Sequence, residues 1–574
     1  MSAGDSAQVP STPTRAPGLS TPARRGSGRL LASAPRRLAA RARLVALTAA
    51  ALGAAVAIAA CGSSGHSKST AASKPSTTAS APGTPHPGGS LTVLELGGYA
   101  GAWPAGLDPA TNTNGAADQD QMNAIYGQLF QLAGGGGQGH VIPDIATGYK
   151  AEDGGKTWLI YLRPGVKFSD GTPLDAQAVV FNWKRDLASP CTCKPILLVN
   201  SITAPNPTTV KLSLKVPDGA LINQLLVANF NWIASPTALK KMGEQKFKIT
   251  PVGAGPFEVV SDTLSNTLVL KKNPNYWQKG RPYLDGLTFK ATADDESALE
   301  TMQANGAQAY DGMATPQLVP QFRAHFTTTE EPATSPYDIQ LNTAVPPFNN
   351  IKARLAIYYA TNAKLIDQKL FGDQFPVVQG FTAPGGLFYE PTIPGYPTYN
   401  LAKAKALVKQ LGGLNVNFFT LSSPVNQNFM TALQAMWKQA GINASIHLYT
   451  LAGLIQQFDT KKWQAALQTA GAWDPAAGVG LAFRFASTSP FSGVHDPHLD
   501  ALINQAQAAV NPATRKQLYF QAAEYIAKNA YGPFLFPLAS WNVAAHGVYG
   551  PGLTTSIPSV VVNTAPLWQD VWMK

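Results

Sequence analysis

Few residue groupings in this chain are spaced for chemistry. His495-Asp496-Pro497-His498 brings together two imidazoles and a carboxylate, donor types that suit a transition metal. Pro497 breaks the helical spacing that would set both rings on one face, so the segment reads as a loop running into Leu499-Asp500-Ala501-Leu502. Asp294-Asp295-Glu296 supplies neighbouring carboxylates of the kind that cleave glycosides. Acids opening a helix, where they complement its dipole, account for the triplet more simply. Cys191 and Cys193 form a C-x-C pair that falls short of a four-ligand zinc site. A local disulfide between them is open in an oxidising compartment, at the cost of a bent backbone. The chain has no Gly-x-Ser-x-Gly elbow, and no Gly-Lys-Ser/Thr follows the glycine run from Gly134 to Gly137 as a phosphate loop requires. Binding is therefore expected in place of catalysis, with no metal and no cofactor.

The elements that would position a binding site are legible from periodicity. Ser90 to Leu96 alternates as a strand, a Gly/Trp/Pro loop runs to Leu107-Asp108-Pro109, and an amphipathic helix is predicted near Asp118 to Leu132. Thr157 to Leu162 alternates again, Arg163-Pro164-Gly165 turns it, Val166-Lys167-Phe168 resumes, and Asp170-Gly171-Thr172-Pro173 turns once more. Leu174-Asp175-Ala176 then caps a helix through Val179 to Trp183. Further on, Leu401 to Leu411 and Phe429 to Ala440 read as amphipathic helices, and Ala444 to Tyr449 as a strand after the Gly441 stop.

With 574 residues the chain is long enough for two or three domains, and 45% apolar residues argue for a folded body. The net charge of +11 invites a nucleic-acid reading, but residues 1 to 60 contribute +7 of it, from eight Arg against Asp5. The remaining +4, with no basic run interleaved with aromatics, argues against nucleic acid. Leu44 to Ala60 is an uncharged apolar run behind Arg36, Arg37, Arg41 and Arg43, the anatomy of a signal peptide, although 17 apolar residues would also just span a bilayer. Ile58-Ala59-Ala60-Cys61-Gly62 resembles the bacterial lipobox, which makes Cys61 the expected lipidated mature N-terminus and favours a lipid anchor over a retained helix. Arg36-Arg37 leaves twin-arginine export open beside the ordinary route, and the long polar stretch before it leaves open a start codon downstream of Met1. Residues 61–88, rich in Gly, Ser, Thr, Ala and Pro, read as a flexible tether.

Six landmarks in the body carry a resemblance. TWLIYLRPGVKFSDGTPLDAQAVVFNW (Thr157 to Trp183) closely resembles the signature of the family 5 extracellular solute-binding proteins, which serve peptide and nickel ABC importers. Pro251-Val252-Gly253-Ala254-Gly255-Pro256-Phe257 is similar to the family's NPxGTGPY turn. Lys272 to Trp277 and Arg281 to Asp285 are similar to RNPxYW and KPxLD, Pro346 to Ala356 to PPFxDxRVRxA, and Asn511 to Tyr519 to the late helix with R-x-x-L-Y. The resemblance implies an α/β fold of the two-lobe periplasmic-binding-protein type, the large class with an extra subdomain, with a hinge between the lobes. Mapped on this chain, it implies a signal peptide with lipobox at 1–60, the tether, a first lobe at 89–130, 251–336 and 541–574, an extra subdomain at 131–250, and a second lobe at 337–540.

In the peptide-binding relatives that the resemblance points to, one stretch carries a Gly-Trp and, a few residues later, an Asp that holds the ligand's amino terminus. The corresponding stretch here is Ala470-Gly471-Ala472-Trp473-Asp474-Pro475, where Gly471 and Trp473 match and Asp474 aligns with the family's second acidic position, so the amine-binding Asp has no counterpart. No Arg lies between Arg354 and Arg484 to clamp a carboxylate. Trp103, Trp463, Trp473 and Trp541 are candidate cleft walls, their faces suited to peptide side chains, sugars or organic cations, and each reads equally as a packed core position. The expected protein is an extracytoplasmic, lipid-anchored binder at the outer face of the cytoplasmic membrane that delivers a small-molecule or peptide ligand to ABC transporter permease subunits. The alternatives are an oligosaccharide or metal chelate as ligand, or a lipid-anchored sensor or hydrolase.

Overall fold

The computed structural model describes residues 83–96, 103–112, 118–133, 140–189, 198–331, 333–470, 476–557 and 565–574. Its strands, in chain order, begin with β1 (Ser90–Leu96), β2 (Phe130–Ala133), β3 (His140–Pro143), β4 (Ala146–Glu152), β5 (Thr157–Leu162), β6 (Val199–Asn206) and β7 (Thr209–Leu214). Next come β8 (Phe257–Thr263), β9 (Thr267–Lys272), β10 (Gly286–Thr292), β11 (Ala309–Met313) and β12 (Thr327–Glu331). The chain continues through β13 (Tyr337–Leu341), β14 (Leu414–Leu421), β15 (Ile442–Tyr449), β16 (Ala465–Thr469), β17 (Ser540–Ala544), β18 (Val548–Tyr549) and β19 (Trp572–Met573).

A seven-stranded sheet, in the order β12-β17-β11-β1-β10-β9-β8, draws on three separated stretches of chain. Its central strand β1 runs parallel to both neighbours, and the outer pairings are antiparallel. Buried parallel strands need apolar residues on both faces. Accordingly Leu91 and Val93 pack with Phe289, Trp568 and the helix Gln119–Tyr126, while Leu94 packs with Tyr310, Met313 and the helix Asp295–Gln303. Each such side chain taken fully out of water contributes roughly 1.5–3 kcal/mol.

Residues between β1 and β8 form a smaller antiparallel sheet, β4-β5-β7-β6, covered by the helix Ala176–Ala188. Asp175 caps that helix, accepting from the Ala178 N–H at 3.0 Å, as its sequence signature predicts. Trp183 on its inner face stacks on Phe230 at 5.2 Å and donates its indole N–H to the Phe230 carbonyl at 2.9 Å. A third sheet, β13-β16-β14-β15, lies between β12 and β17 in the chain and is packed by the helix Pro424–Gln439, whose Trp437 sits 4.9 Å from Phe418.

The predicted helix from Asp118 to Leu132 divides in the structure. It ends at Tyr126, and Phe130–Ala133 is instead a strand paired with His140–Pro143. Gly127 takes φ of +63°, which releases the chain from the helix, and the Leu129 N–H then bonds the Asn231 carbonyl at 3.1 Å. A tertiary partner 100 residues away is not visible in local periodicity. At the acidic triplet Asp294 is an N-cap, accepting from the Ser297 N–H at 2.7 Å. The His495–His498 segment opens a helix, with Asp496 as N-cap and Pro497 in the first turn, and His498 packs on Tyr525 at 4.5 Å.

Candidate functional site

The seven-stranded sheet and the sheet led by β13 are joined where the chain crosses twice, after Glu331 and before Ser540. The two crossings run antiparallel: the Tyr337 N–H bonds the Phe536 carbonyl at 3.0 Å, Leu535 N–H bonds Tyr337 at 2.8 Å, and Ile339 N–H bonds Pro533 at 3.0 Å. They continue the β12–β17 ladder, in which Glu331 faces Ser540. Two adjacent crossing segments allow a bend shared by few residues, the arrangement of a hinge.

Ionisable groups are buried on both sides of this crossing. On the β13 side Asp338 is fully buried, and neither carboxylate oxygen has a hydrogen-bond partner. Burial pushes it up to about 7, against the pull of the Arg484 guanidinium. Arg484 donates through Nε to the Thr469 carbonyl at 2.7 Å, and Gln340 donates to the Arg484 carbonyl at 2.6 Å. The next residue, Ala470, donates to the Pro336 carbonyl in the crossing at 2.6 Å. Gly471, Trp473 and Asp474 follow directly in the chain and lie outside the described residues, as do Cys61, Cys191 and Cys193.

On the opposite side, the parallel register of β1 and β11 sets Glu95 beside Asp311. Asp120, from the helix Gln119–Tyr126, is hydrogen-bonded to Asp311, which the Asn542 amide also bonds. Burial first, and then the charge of Asp311, hold Glu95 and Asp120 well above the usual carboxylate range. Gln121 donates to Glu95, and one buried oxygen each of Asp120 and Asp311 has no partner. These side chains sit at the carboxyl ends of β1 and β11, the edge where open α/β sheets place ligands. Among the described residues no group of three or more His, Cys, Asp or Glu is arranged to hold a metal ion.

The three described tryptophans of the sequence prediction do not meet. Trp103 is fully buried in the core under β1, with φ of +39°, a conformation held by two hydrogen bonds. Its N–H reaches Asp118 at 3.2 Å, and its indole N–H reaches Asp262 at 2.8 Å. Trp463 is packed among Phe419, Phe458 and Phe491 in the β13 lobe. Trp541 lies on β17, opposite Glu330 and Met313, next to the crossing. The indole N–H groups of Trp463 and Trp541 have no partner, a state that costs about 1–3 kcal/mol for a buried donor. Sequence reasoning did not single out Glu95, Asp120, Asp311 or Asp338. The available signal for Glu95, Asp311 and Asp338 was a lone acid at an inward position of an apolar strand, and for Asp120 an acid on the buried face of a helix. A cavity of about 10 Å³ between Gln128, Asp144, Tyr276 and Gln569 has room for a single water and is too small for a solute.

Comparison with known proteins fits this geometry. Residues 140–490 match the profile of the bacterial extracellular solute-binding proteins, family 5 Middle. The chain therefore belongs to the family 5 extracellular solute-binding proteins. It is 32% identical over 311 residues to the glutathione-binding protein GsiB of Shigella flexneri serotype 5b, an alignment covering 53% of this chain and 60% of that one. The chain thus spans about three-fifths of the length of the curated relatives it matches. Two solved structures share the fold over nearly their whole length. The oligopeptide-binding protein AppA of Bacillus subtilis, in complex with a nonapeptide, superposes with a TM-score of 0.69 at 20% identity over 86% of this chain and all of that one. The binding protein AgaA of A. tumefaciens R10, in complex with agropinic acid, does so with a TM-score of 0.70 at 20% identity over 85% and 99%. The architecture is that of a two-lobe periplasmic binding protein, and the relatives are binding proteins. Members of the family work outside the cytoplasm, and no helix among the described residues is long and apolar enough to cross a membrane.

Proposed function

We propose that this chain is the lipid-anchored receptor of an ABC importer, which closes around a small peptide at the outer face of the cytoplasmic membrane and passes it to the permease. The observation that carries the reading is the double crossing between the seven-stranded sheet and the sheet led by β13, flanked on both sides by buried ionisable groups. The glutathione-binding relative and the nonapeptide-bound neighbour support a peptide over other solutes. Unpartnered acceptors on Asp120 and Asp311 suit a ligand ammonium, which the acid missing from the Gly471–Pro475 stretch would otherwise hold. In this reading Gly471, Trp473 and Asp474 border the ligand and Trp541 offers its indole N–H, while Trp103 and Trp463 support the walls from behind. The lobes take the boundaries given by the sequence, with Cys61 carrying the lipid.

A thermal-shift screen of the protein against glutathione, di- to pentapeptides, oligosaccharides and metal chelates tests the ligand. At a hundredfold excess over its dissociation constant a ligand adds about 2.7 kcal/mol of stability, a readily resolved rise in melting temperature. Stabilisation by glutathione or short peptides is the expected result. Stabilisation by a sugar or chelate alone would overturn the peptide assignment.

A further inference from the structure

The small-sheet region that follows β3 also meets the second lobe, at a place remote in the chain from the crossings. One side is the turn Asp218-Gly219-Ala220 after β7. The other is the turn between the helices Pro497–Ala508 and Pro512–Asn529. The Gly219 N–H donates to the Gln507 carbonyl at 2.9 Å. Arg515 donates to the Gly219 carbonyl and, at 2.8 Å, to that of Ala509. The Gln507 amide donates to both oxygens of Asp218 at 3.3 and 3.2 Å. Asp218 is fixed from its own side by the Ala220 N–H at 2.9 Å, and Trp158 donates its indole N–H to the Asp218 carbonyl at 3.1 Å. Asp218 and Arg515 are each only 5% exposed, so the contact excludes water. It is also too close for a side chain at Gly219, where a Cβ would lie 2.2 Å from the Ala509 carbonyl oxygen.

We propose that this contact is a latch: Asp218 and Gly219 beside the β4–β7 sheet, and Gln507 and Arg515 of the second lobe, hold the lobes closed and so set the balance between open and closed forms. The chemistry suits a reversible catch. The groups are polar and hydrate when the lobes part, so the net gain on closing is that of a few hydrogen bonds, in contrast to the large loss of opening an apolar interface. Arg515 and Asp218 do not touch but are joined through Gln507 and Gly219, which spreads their charges over neutral partners. The inference rests on the two-lobe hinge and not on which ligand is bound. Because a binding protein's apparent affinity scales with the population of its competent form, a weaker latch lowers affinity without any contact to the ligand.

Small-angle X-ray scattering of the whole ligand-free protein tests it with two variants that act by different means. Arg515→Met removes the donor, and Gly219→Ala adds one carbon where the turn backbone stands; the Gly219 conformation is outside the left-handed region, so alanine is tolerated wherever the lobes are apart. Both variants are expected to show a larger radius of gyration and maximum dimension than the wild type. Lys516→Ala, which breaks the neighbouring ion pair to Glu390, is expected to scatter as the wild type does. Glutathione, if it binds, should lose about tenfold in affinity in both latch variants. Wild-type scattering from both latch variants, or equal opening by Lys516→Ala, would overturn the proposal. Since the scattering is read without ligand, a protein that opens as expected yet ignores glutathione and peptides would sink the ligand assignment alone.

Discussion

The two lobes stabilise themselves differently. Around the seven-stranded sheet and the small sheet beside it, acids are buried repeatedly: Glu95, Asp108, Asp118, Asp120, Asp144, Asp186, Asp218 and Asp311 are all nearly inaccessible. In the lobe built on β13 to β16 the buried acids are Asp338 and Asp367, and the interior is aromatic and aliphatic, as where Trp437 packs on Phe418 and Phe429 stacks on Phe536 at 5.3 Å. Burying a carboxyl without full pairing is costly unless it keeps its proton. The first lobe therefore carries its polar groups at the price of sensitivity to pH, and the second depends mainly on packing.

That contrast is tested most strongly by removing packing from the second lobe. Trp437→Ala is expected to cost about 3–5 kcal/mol of that lobe's stability by the same amount at pH 5 and pH 8, measured by calorimetry. A pH-dependent loss would break the contrast. The acid-rich side should instead respond to pH. Burial pushes Asp118 and Asp144 up to about 7, Asp144 in spite of hydrogen bonds from Gln128 and Gln131. Each carboxyl keeps its proton to a higher pH in the folded chain than in the unfolded one, so stability is greatest in acid and falls as pH climbs from about 4 to about 7. Asp144→Asn mimics the protonated form and should flatten that fall by up to about 1.4 kcal/mol per pH unit, which melting temperatures across the range would reveal. An unchanged slope would remove Asp144 from the account. The smallest effect belongs to the surface: Lys150→Ala breaks the exposed 2.8 Å pair with Glu152 and is expected to leave the melting midpoint unchanged.

How much of this was legible depends on the range of the interaction. The strand Ser90–Leu96, the Asp175 cap and the helix Leu401–Gln410 were readable because neighbours in sequence decide them. The helix beyond Tyr126 was misread because Phe130 follows a strand partner at Pro143. At the candidate site, the Gly471–Pro475 stretch was found only through family resemblance. The carboxyl cluster was missed because Glu95, Asp120 and Asp311 come from separate elements of the chain. Arg515 and Trp158 were visible as landmarks without a role, since the contact they serve joins segments almost 300 residues apart.

By itself, then, the sequence determined the periodic elements, their caps and turns, the apolar stretch before Cys61 and the family to which the body belongs, because each is written in short runs of residue types. Only the tertiary structure decided which acids are buried together, which tryptophans are sealed in separate cores, and where the lobes touch. Those outcomes follow from desolvation and close packing between distant segments, and both depend on which surfaces the fold brings together.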